Sequence, residues 1–246
     1  MNTRRQWISR TRIGAARAGL ALMAVAVLGM DGAQPAQARG LRVLYNFAGS
    51  SDGGDPYASL IRDSAGNLYG TADYGGTAFA GAVFKVTANG SETVLYSFSG
   101  GADGAQPFSA LVRDKAGNLY GTTTMGGSAN AGVVFKLDPS GTETVLHNFI
   151  GGTDGTTPTG GLLEDKAGNF YGTASQGGTS NAGVVFEINA NGQYSILHTF
   201  KGTTNDGKYP TYTSLLMGSR GALYGVTEEG GAANGGILYK LGKTES

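Results

Sequence analysis

The chain has 246 residues, of which 44 are glycine and none is cysteine. Without cysteine the protein can form no disulfide and offers no thiol nucleophile or thiolate metal ligand. The formal net charge is zero, which does not favour the basic surface that nucleic-acid binding requires.

Residues 1–38 have the pattern of an export signal. Several arginines precede a short apolar segment at residues 19–30, and the sequence Ala-Gln-Ala at residues 36–38 offers the small residues that signal peptidases prefer. The apolar segment is too short to cross a bilayer comfortably. We therefore expect cleavage after Ala38 and no membrane span in the rest of the chain.

The type of export signal stays open between two alternatives. Residues 3–8 resemble a twin-arginine motif, and an ordinary Sec signal fits the same residues. Cleavage would remove five of the 18 basic residues and one of the 18 acidic ones, which leaves a net charge near −4. We predict an exported protein, periplasmic or secreted, with residues 39–246 as a single domain and no nucleic-acid partner.

A pattern of about 51 residues occurs four times along this domain, most clearly at residues 94–144. A period near fifty is typical of stacked or radial repeats. Two extra residues in the last copy change one spacing from 51 to 53. The anchor residues of the four copies are Phe47, Phe98, Phe149 and Phe200, followed by Tyr69, Tyr120, Tyr171 and Tyr224.

Each copy contains four candidate strands separated by turn residues. In the second copy we predict strands at residues 109–113, 119–123, 133–137 and 143–149. The third of these has consecutive apolar residues, which indicates a sheet covered on both faces. Four strands per copy, without a helical pattern, predict a β-propeller.

The two ends of the repeat region indicate how such a ring would close. Residues 41–47 have the sequence of a fourth strand without the other three, and residues 237–241 are a third strand without a fourth. Pairing them would leave no open edge strand. We predict an all-β, four-bladed β-propeller closed by the N-terminal strand completing the last blade. An open array, or pairing of the ends between two molecules, is the alternative.

The repeat unit LYxFxGGxDGxxPxxxLxxDxxGNLYGTTxxGGxxxxGxVFKLxxxGxET resembles the GloVer tandem repeat of exported bacterial proteins. The resemblance covers nearly all of residues 42–241. It implies a propeller-like fold and carries no assigned activity. The chain has four units, where many relatives look longer, and ends at Ser246 without a sorting anchor, which favours a small soluble module.

The two long loops of each copy are expected at one rim of the propeller, and that rim is the candidate binding face. An aspartate followed by glycine recurs there in all four copies. Four carboxylates pointing to the axis would suit Ca²⁺, but aspartate before glycine more often caps its own turn. The residues concerned are Asp52, Asp103, Asp154 and Asp206.

A second repeated set at the tight turns has serine in its fourth member, which favours a turn role. These residues are Asp63, Asp114, Asp165 and Ser219.

The residues that differ between copies are the candidate binding residues. Exposed aromatic side chains on a rigid rim suit stacking on sugar rings or contact with a protein partner. Two adjacent glutamates in the last copy could transfer protons or bind a cation, and a solvated loop is the simpler interpretation. The candidates are Tyr57, Tyr74, Phe79, Phe108, Met125, Tyr209, Tyr212, Glu228 and Glu229.

The two histidines, His147 and His198, occupy the position that holds Tyr45 and Tyr96 in the other copies. We interpret this position as a packing site, because a general base needs a positioned partner. With no other histidine and no cysteine, neither a Ser-His-Asp nor a Cys-His catalytic site nor a histidine-rich zinc site is expected.

These observations favour an exported, non-enzymatic binding or scaffold module with a glycan or protein ligand on the long-loop rim. Ca²⁺ is the one cofactor that the pattern allows. One alternative is a carboxylate-dependent glycan lyase or hydrolase that uses Glu228, Glu229 and the loop aspartates. A purely structural cell-surface repeat protein is the other.

Overall fold

The computed structural model describes residues 40–212 and 214–242. The predicted export signal at residues 1–38 lies outside the described residues. The chain divides into Met1–Arg42 and a compact unit, Val43–Ser246, that contains every described strand. Across the described ranges, no helix has the length and apolar character needed to cross a membrane.

Three successive units each form an antiparallel sheet of four strands in chain order. The first contains β1 (Ile61–Arg62), β2 (Leu68–Ala72), β3 (Ala82–Val86) and β4 (Glu92–Ser97). The second contains β5 (Val112–Arg113), β6 (Leu119–Thr123), β7 (Val133–Leu137) and β8 (Glu143–Asn148). The third contains β9 (Leu163–Glu164), β10 (Phe170–Ala174), β11 (Val184–Ile188) and β12 (Tyr194–Thr199).

The fourth unit differs from the other three. A two-stranded ladder joins its long loops, β13 (Gly207–Lys208) with β16 (Glu229–Gly230). Its main sheet has three strands, β14 (Leu216–Met217), β15 (Leu223–Val226) and β17 (Leu238–Leu241). Short 3-10 turns occur at Gly152–Asp154 and Ser219–Gly221.

The ring closure by residues 41–47 stays a prediction. Among the residues that the structure describes, β17 pairs only with β15, and residues 41–47 form no strand. The four strands predicted in the second unit are all present, but the first is shorter, Val112–Arg113 instead of residues 109–113.

The third strand of each complete sheet is buried on both faces, as its consecutive apolar residues predict. Val133, Val134 and Phe135 in β7 are each 0% exposed. A strand with apolar side chains on both faces must be covered twice, once by each neighbouring layer. The units therefore stack face to face, with the core between sheets.

A phenylalanine after the fourth strand joins each unit to the next. It meets an aromatic ring in the third strand of the following unit edge-on, a geometry that adds about 0.5–1.5 kcal/mol beyond burial. The ring centroids are 5.1–5.4 Å apart in Phe98–Phe135, Phe149–Phe186 and Phe200–Tyr239. The residues that set the repeat period are thus the contacts between units.

A backbone hydrogen bond forms a second contact between neighbouring units. The N–H of Gln106 donates to the carbonyl of Ala80 at 2.8 Å, and the next residue, Pro107, lies against Gly81. A Cβ on Gly81 would be 2.3 Å from Pro107 Cδ, so only glycine fits there. The same bond recurs at Thr157–Ala131 and Tyr209–Ala182.

The glycine in the middle of the second strand makes room for an aromatic ring. A Cβ on Gly121 would lie 2.7 Å from Cζ of Phe135 and 3.0 Å from Cδ2 of Leu111. Gly70 and Gly172 have the same relation to the rings of their own units. The Gly of the repeated sequence LYGT therefore has a packing role.

Gly121→Ala is expected to lower the free energy of unfolding by about 1–3 kcal/mol, because the added methyl overpacks the core. Urea denaturation measures the change. Gly235→Ala is the control, since Gly235 has no atom within 4 Å of the added Cβ, and its effect should stay within about 1 kcal/mol. Equal effects of the two substitutions would contradict the packing role of Gly121.

Candidate functional site

A cavity of about 500 Å³ lies where the segments that precede the first strands of all four units meet. Each unit contributes at least one side chain to its wall. The principal lining residues are Tyr57, Phe108, Ser109, Thr159, Tyr212 and Ser214. Because one segment of each unit reaches it, the cavity depends on the packing of the whole repeat array.

Three aromatic rings from different units form one cluster at this cavity. Tyr57 stacks on Phe108 with centroids 5.1 Å apart and planes 29° apart, and Phe108 lies 5.5 Å from Tyr212. Tyr57 and Tyr212 are 63% and 66% exposed. The structure thus brings together three of the predicted binding residues, and two of the three rings stay accessible to a ligand.

A proline precedes the first strand of every unit, and the residue before it has a left-handed backbone in all four. These residues are Asp55, Gln106, Thr157 and Tyr209, with φ between 52° and 58°. Such values cost energy for residues other than glycine and persist only where the surroundings hold them. The backbone bonds between units supply that restraint and so orient the segments that reach the cavity.

Tyr212 reaches the cavity because the fourth unit has one more residue between its proline and the following leucine than the other units have. Its backbone is left-handed, with φ of 54°. Its N–H donates to Oγ1 of Thr159 in the third unit at 3.3 Å. The extra residue therefore adds an aromatic ring at a place where the third unit has only Thr159.

Three other candidates lie on the loop rim and do not line the cavity. Tyr74 and Phe79 are 5.5 Å apart and are 47% and 55% exposed, and Met125 is 47% exposed. The predicted meeting of the two long loops is confirmed, because backbone bridges join Gly54 to Tyr74 and Ala105 to Met125.

The glutamate pair of the fourth unit has partners of its own. Lys208 Nζ lies 2.9 Å from Oε2 of Glu229 and 4.2 Å from the ring centroid of Tyr209. The hydrogen bond from Lys208 to Glu229 raises the pKa of Lys208. Glu228 accepts a hydrogen bond from Thr211 at 3.3 Å. Glu229 is thus held in an ion pair, whereas Glu228 is exposed on the loop.

Each loop aspartate accepts hydrogen bonds from its own turn. Asp103 accepts from the N–H of Ser99 at 2.7 Å and from the O–H of Tyr96 at 3.0 Å. Burial raises the pKa of Asp103, but hydrogen bonds from the side chain and backbone of Ser99 and from Tyr96 outweigh it and hold the pKa below its ordinary value. Asp52 accepts the equivalent bonds from Ala48 and Tyr45.

The two histidines serve the same turns. His147 Nε2 lies 3.2 Å from Asp154, and His198 Nε2 lies 3.2 Å from Asp206. Tyrosine and histidine interchange at this position because a phenol O–H and an imidazole N–H reach the same carboxylate. The ring of His147 also stacks at 3.7 Å on Tyr194, so the predicted packing role includes a hydrogen bond.

The predicted Ca²⁺ set of Asp52, Asp103, Asp154 and Asp206 is not assembled. Within residues 40–212 and 214–242, no three acidic, histidine or cysteine residues form a group that could hold a metal ion. The carboxylates stay apart because each is committed to a separate turn.

The predicted turn role of the aspartates at the tight turns is confirmed, because each accepts hydrogen bonds from the backbone of its own turn. Asp114 accepts bonds from the backbone N–H of Asn118 at 2.9 Å, from its side-chain amide at 2.7 Å and from the O–H of Tyr120 at 3.1 Å. In the first unit the hydrogen bond from Asn67 lowers the pKa of Asp63 to about 2.

A half-buried glutamate, Glu143, lies at the contact between the first and second units and was not singled out from the sequence. Burial, together with the charge of Asp103, raises the pKa of Glu143 to about 7. Its Oε1 is buried without a hydrogen-bond partner. Glu92 has the same position beside Asp52, and burial raises its pKa as well. A polar residue at the start of a strand is usually exposed, so nothing in the sequence indicated that Glu143 is partly buried. The structure shows it through the contact between units.

Glu143 should make stability depend on pH. The folded-state pKa of Glu143 lies above its ordinary value of 4.5. Its contribution to the free energy of unfolding is therefore fully present below pH 4.5 and is lost as the pH rises through about 7. Relative to Glu143→Gln, the wild type should lose free energy of unfolding between about pH 5 and pH 8. Urea denaturation across this range measures the difference.

Glu228→Gln is the matched control, because Glu228 is exposed. Its pH profile should run parallel to that of the wild type. A wild-type profile parallel to that of Glu143→Gln would contradict the burial of Glu143.

Comparison with solved structures identifies the class of protein. An extracellular domain assigned to a hybrid two-component system from B. thetaiotaomicron matches with a TM-score of 0.51 and 13% identity, over 78% of this chain and 21% of that one. Virginiamycin B lyase from Staphylococcus aureus matches with a TM-score of 0.45 and 14% identity, over 78% and 57% of the two chains. A gluconolactonase from Xanthomonas campestris matches with a TM-score of 0.46 and 15% identity, over 74% of this chain and 61% of that one.

The extracellular domain is β-propeller-like, and at 13% identity the likeness shows the fold alone. The protein is therefore an all-β, β-propeller-like repeat protein. It spans less than two thirds of the length of each of these neighbours.

The sequence matches the model of the Gloeobacter/Verrucomicrobia repeat over residues 33–166 and 150–246. The chain belongs to this family, which confirms the resemblance noted from its repeat unit. A search of the curated proteins found no match.

Proposed function

We propose that the protein is a non-enzymatic binding module whose ligand occupies the cavity lined by Tyr57, Phe108 and Tyr212. The observation that carries the proposal is the aromatic cluster, in which three units each place one ring at the same cavity. The edge-on contacts between neighbouring sheets use other aromatic residues, and the rings of Tyr57 and Tyr212 stay exposed to a ligand.

The chemistry of the wall favours a neutral glycan. The lining residues are aromatic, small or hydroxyl-bearing, and none of them is charged. Aromatic faces suit the apolar faces of sugar rings, and the exposed hydroxyls of Ser59 and Ser214 can both donate and accept hydrogen bonds. A volume of about 500 Å³ is within the usual range for small-ligand sites.

Two further features belong to the same proposal. The protein is exported, which the arginine-rich and apolar pattern of residues 1–38 supports. The four units are propeller blades, and residues 41–47 supply the outer strand that a fourth unit lacks. In support, Phe47 contacts Phe84 edge-on at 4.8 Å, the contact that joins the other units.

A glycan array followed by calorimetry with the best neutral glycan tests the binding site. Tyr57→Ala and Tyr212→Ala should each weaken binding at least tenfold, about 1.4 kcal/mol, because each removes a stacking surface. Tyr74→Ala is the control, since Tyr74 is an exposed tyrosine outside the cavity, and it should leave the affinity unchanged.

Two results would contradict the proposal. One is the absence of any glycan binding, which would favour a structural repeat protein. The other is binding that depends on Tyr74 and is indifferent to Tyr57 and Tyr212.

A further inference from the structure

The two end units leave uncovered the faces that every internal contact buries. Leu111, Leu162 and Leu215 are 3–5% exposed, whereas Leu60, their equivalent in the first unit, is 50% exposed. At the other end, Val226 is 40% exposed and Leu238 is 78% exposed. The equivalents of Leu238 in the other units are all 0% exposed: Val83, Val134 and Val185.

The internal contacts show which surface covers each face. Val83 of the first unit and Leu111 of the second belong to one core cluster, and Val134 and Leu162 belong to another. By the repeat, the surface that fits Leu238 is the face of Leu60. The two uncovered faces are therefore complementary to each other.

The backbone hydrogen bonds between units also indicate that the two end faces are complementary. In the internal contacts, Gln106 donates to Ala80 and Pro107 packs on Gly81. The equivalent donor and acceptor at the ends are the N–H of Asp55 and the carbonyl of Gly235. Neither makes a hydrogen bond within residues 40–212 and 214–242. They would form the fourth copy of this bond if the faces met.

One charged side chain also matches. The guanidinium of Arg113 in the second unit lies over the ring of Tyr69 in the first, 5.7 Å from its centroid. Arg62 occupies the position of Arg113 in the first unit, and Tyr224 occupies the position of Tyr69 in the fourth. Joining the end faces would place Arg62 over Tyr224 in the same cation–π geometry.

Residues 44–47 lie on the first unit as the outer strand of a preceding unit would. Phe47 packs on Phe84 at 4.8 Å, and the O–H of Tyr45 donates to Asp52 at 2.9 Å, as Phe98 and Tyr96 do one unit later. Among the described residues, the second edge of β17 has no strand beside it. Residues 44–47 thus pack on the first unit in the place of an outer strand, which is the strand that the fourth unit lacks.

We propose that a second copy of this chain covers both end faces. The Leu60 face of one copy packs on the Leu238 face of the other, and residues 43–47 of each copy pair with β17 of its neighbour. The single chain does not make this contact, since Leu60 and Leu238 stay exposed while the three internal contacts form. Two arrays joined at both ends give a closed ring with twofold symmetry and no free edge strand.

This inference rests on the proposed role of residues 41–47 in completing the last blade, and it is independent of the glycan site. Sedimentation velocity of the full-length protein should give twice the chain mass. Leu60→Lys and Leu238→Lys should each weaken association at least tenfold, because a lysine would enter an apolar interface. Ile150→Lys, which alters an apolar side chain 67% exposed on a loop outside both faces, should remain dimeric. A monomeric wild type overturns the proposal.

Engineered disulfides distinguish association with a second copy from closure of the ring within one chain. The natural chain has no cysteine that would form other disulfides. Full-length Asp55→Cys and Gly235→Cys, mixed and oxidised, should form a cross-linked pair. The double variant at low concentration should not form an internal disulfide. An internal disulfide without cross-linking in the mixture would show that one chain closes the ring alone, and no disulfide in either case would overturn the complementarity itself. Neither outcome affects the glycan test.

Discussion

The structure depends on the contact between neighbouring sheets. A sheet of four short strands has two apolar faces and cannot bury them alone. The core residues accordingly belong to pairs of units, since one cluster contains Val83 and Phe98 of the first unit together with Phe135 of the second. Aromatic pairs, the Gln106-type backbone bond and the glycine–proline contact make this interface the same three times.

Much of the fold could be predicted because the residues that mark the repeat are the residues that pack. Phe98 and Phe149 define both the 51-residue spacing and the contact with the next unit. The short first strands were not predictable in length, since the residues before Val112, such as Ser109, face the cavity and leave the ladder. The burial of Glu143 was hidden for a similar reason, because its environment is formed by the preceding unit.

The candidate site was foreseeable in composition but not in arrangement. Sequence comparison between copies selected Tyr57, Phe108 and Tyr212 together with several rim residues, and nothing in the spacing separated the two groups. The packing of the units brings the three rings to one cavity and leaves Tyr74 and Phe79 on the loops. Repeated residues thus form the scaffold, while positions that vary between copies form the cavity wall.

Hydrogen–deuterium exchange of the backbone amides tests most directly whether the contacts between units hold the structure together. The amides of Gln106 and Thr157, which donate across two internal contacts, should exchange as slowly as those in the centre of β7, because opening either contact exposes the shared core. Exchange of these two amides that is orders of magnitude faster than exchange in β7 would show that each unit is stable by itself, which would contradict the account.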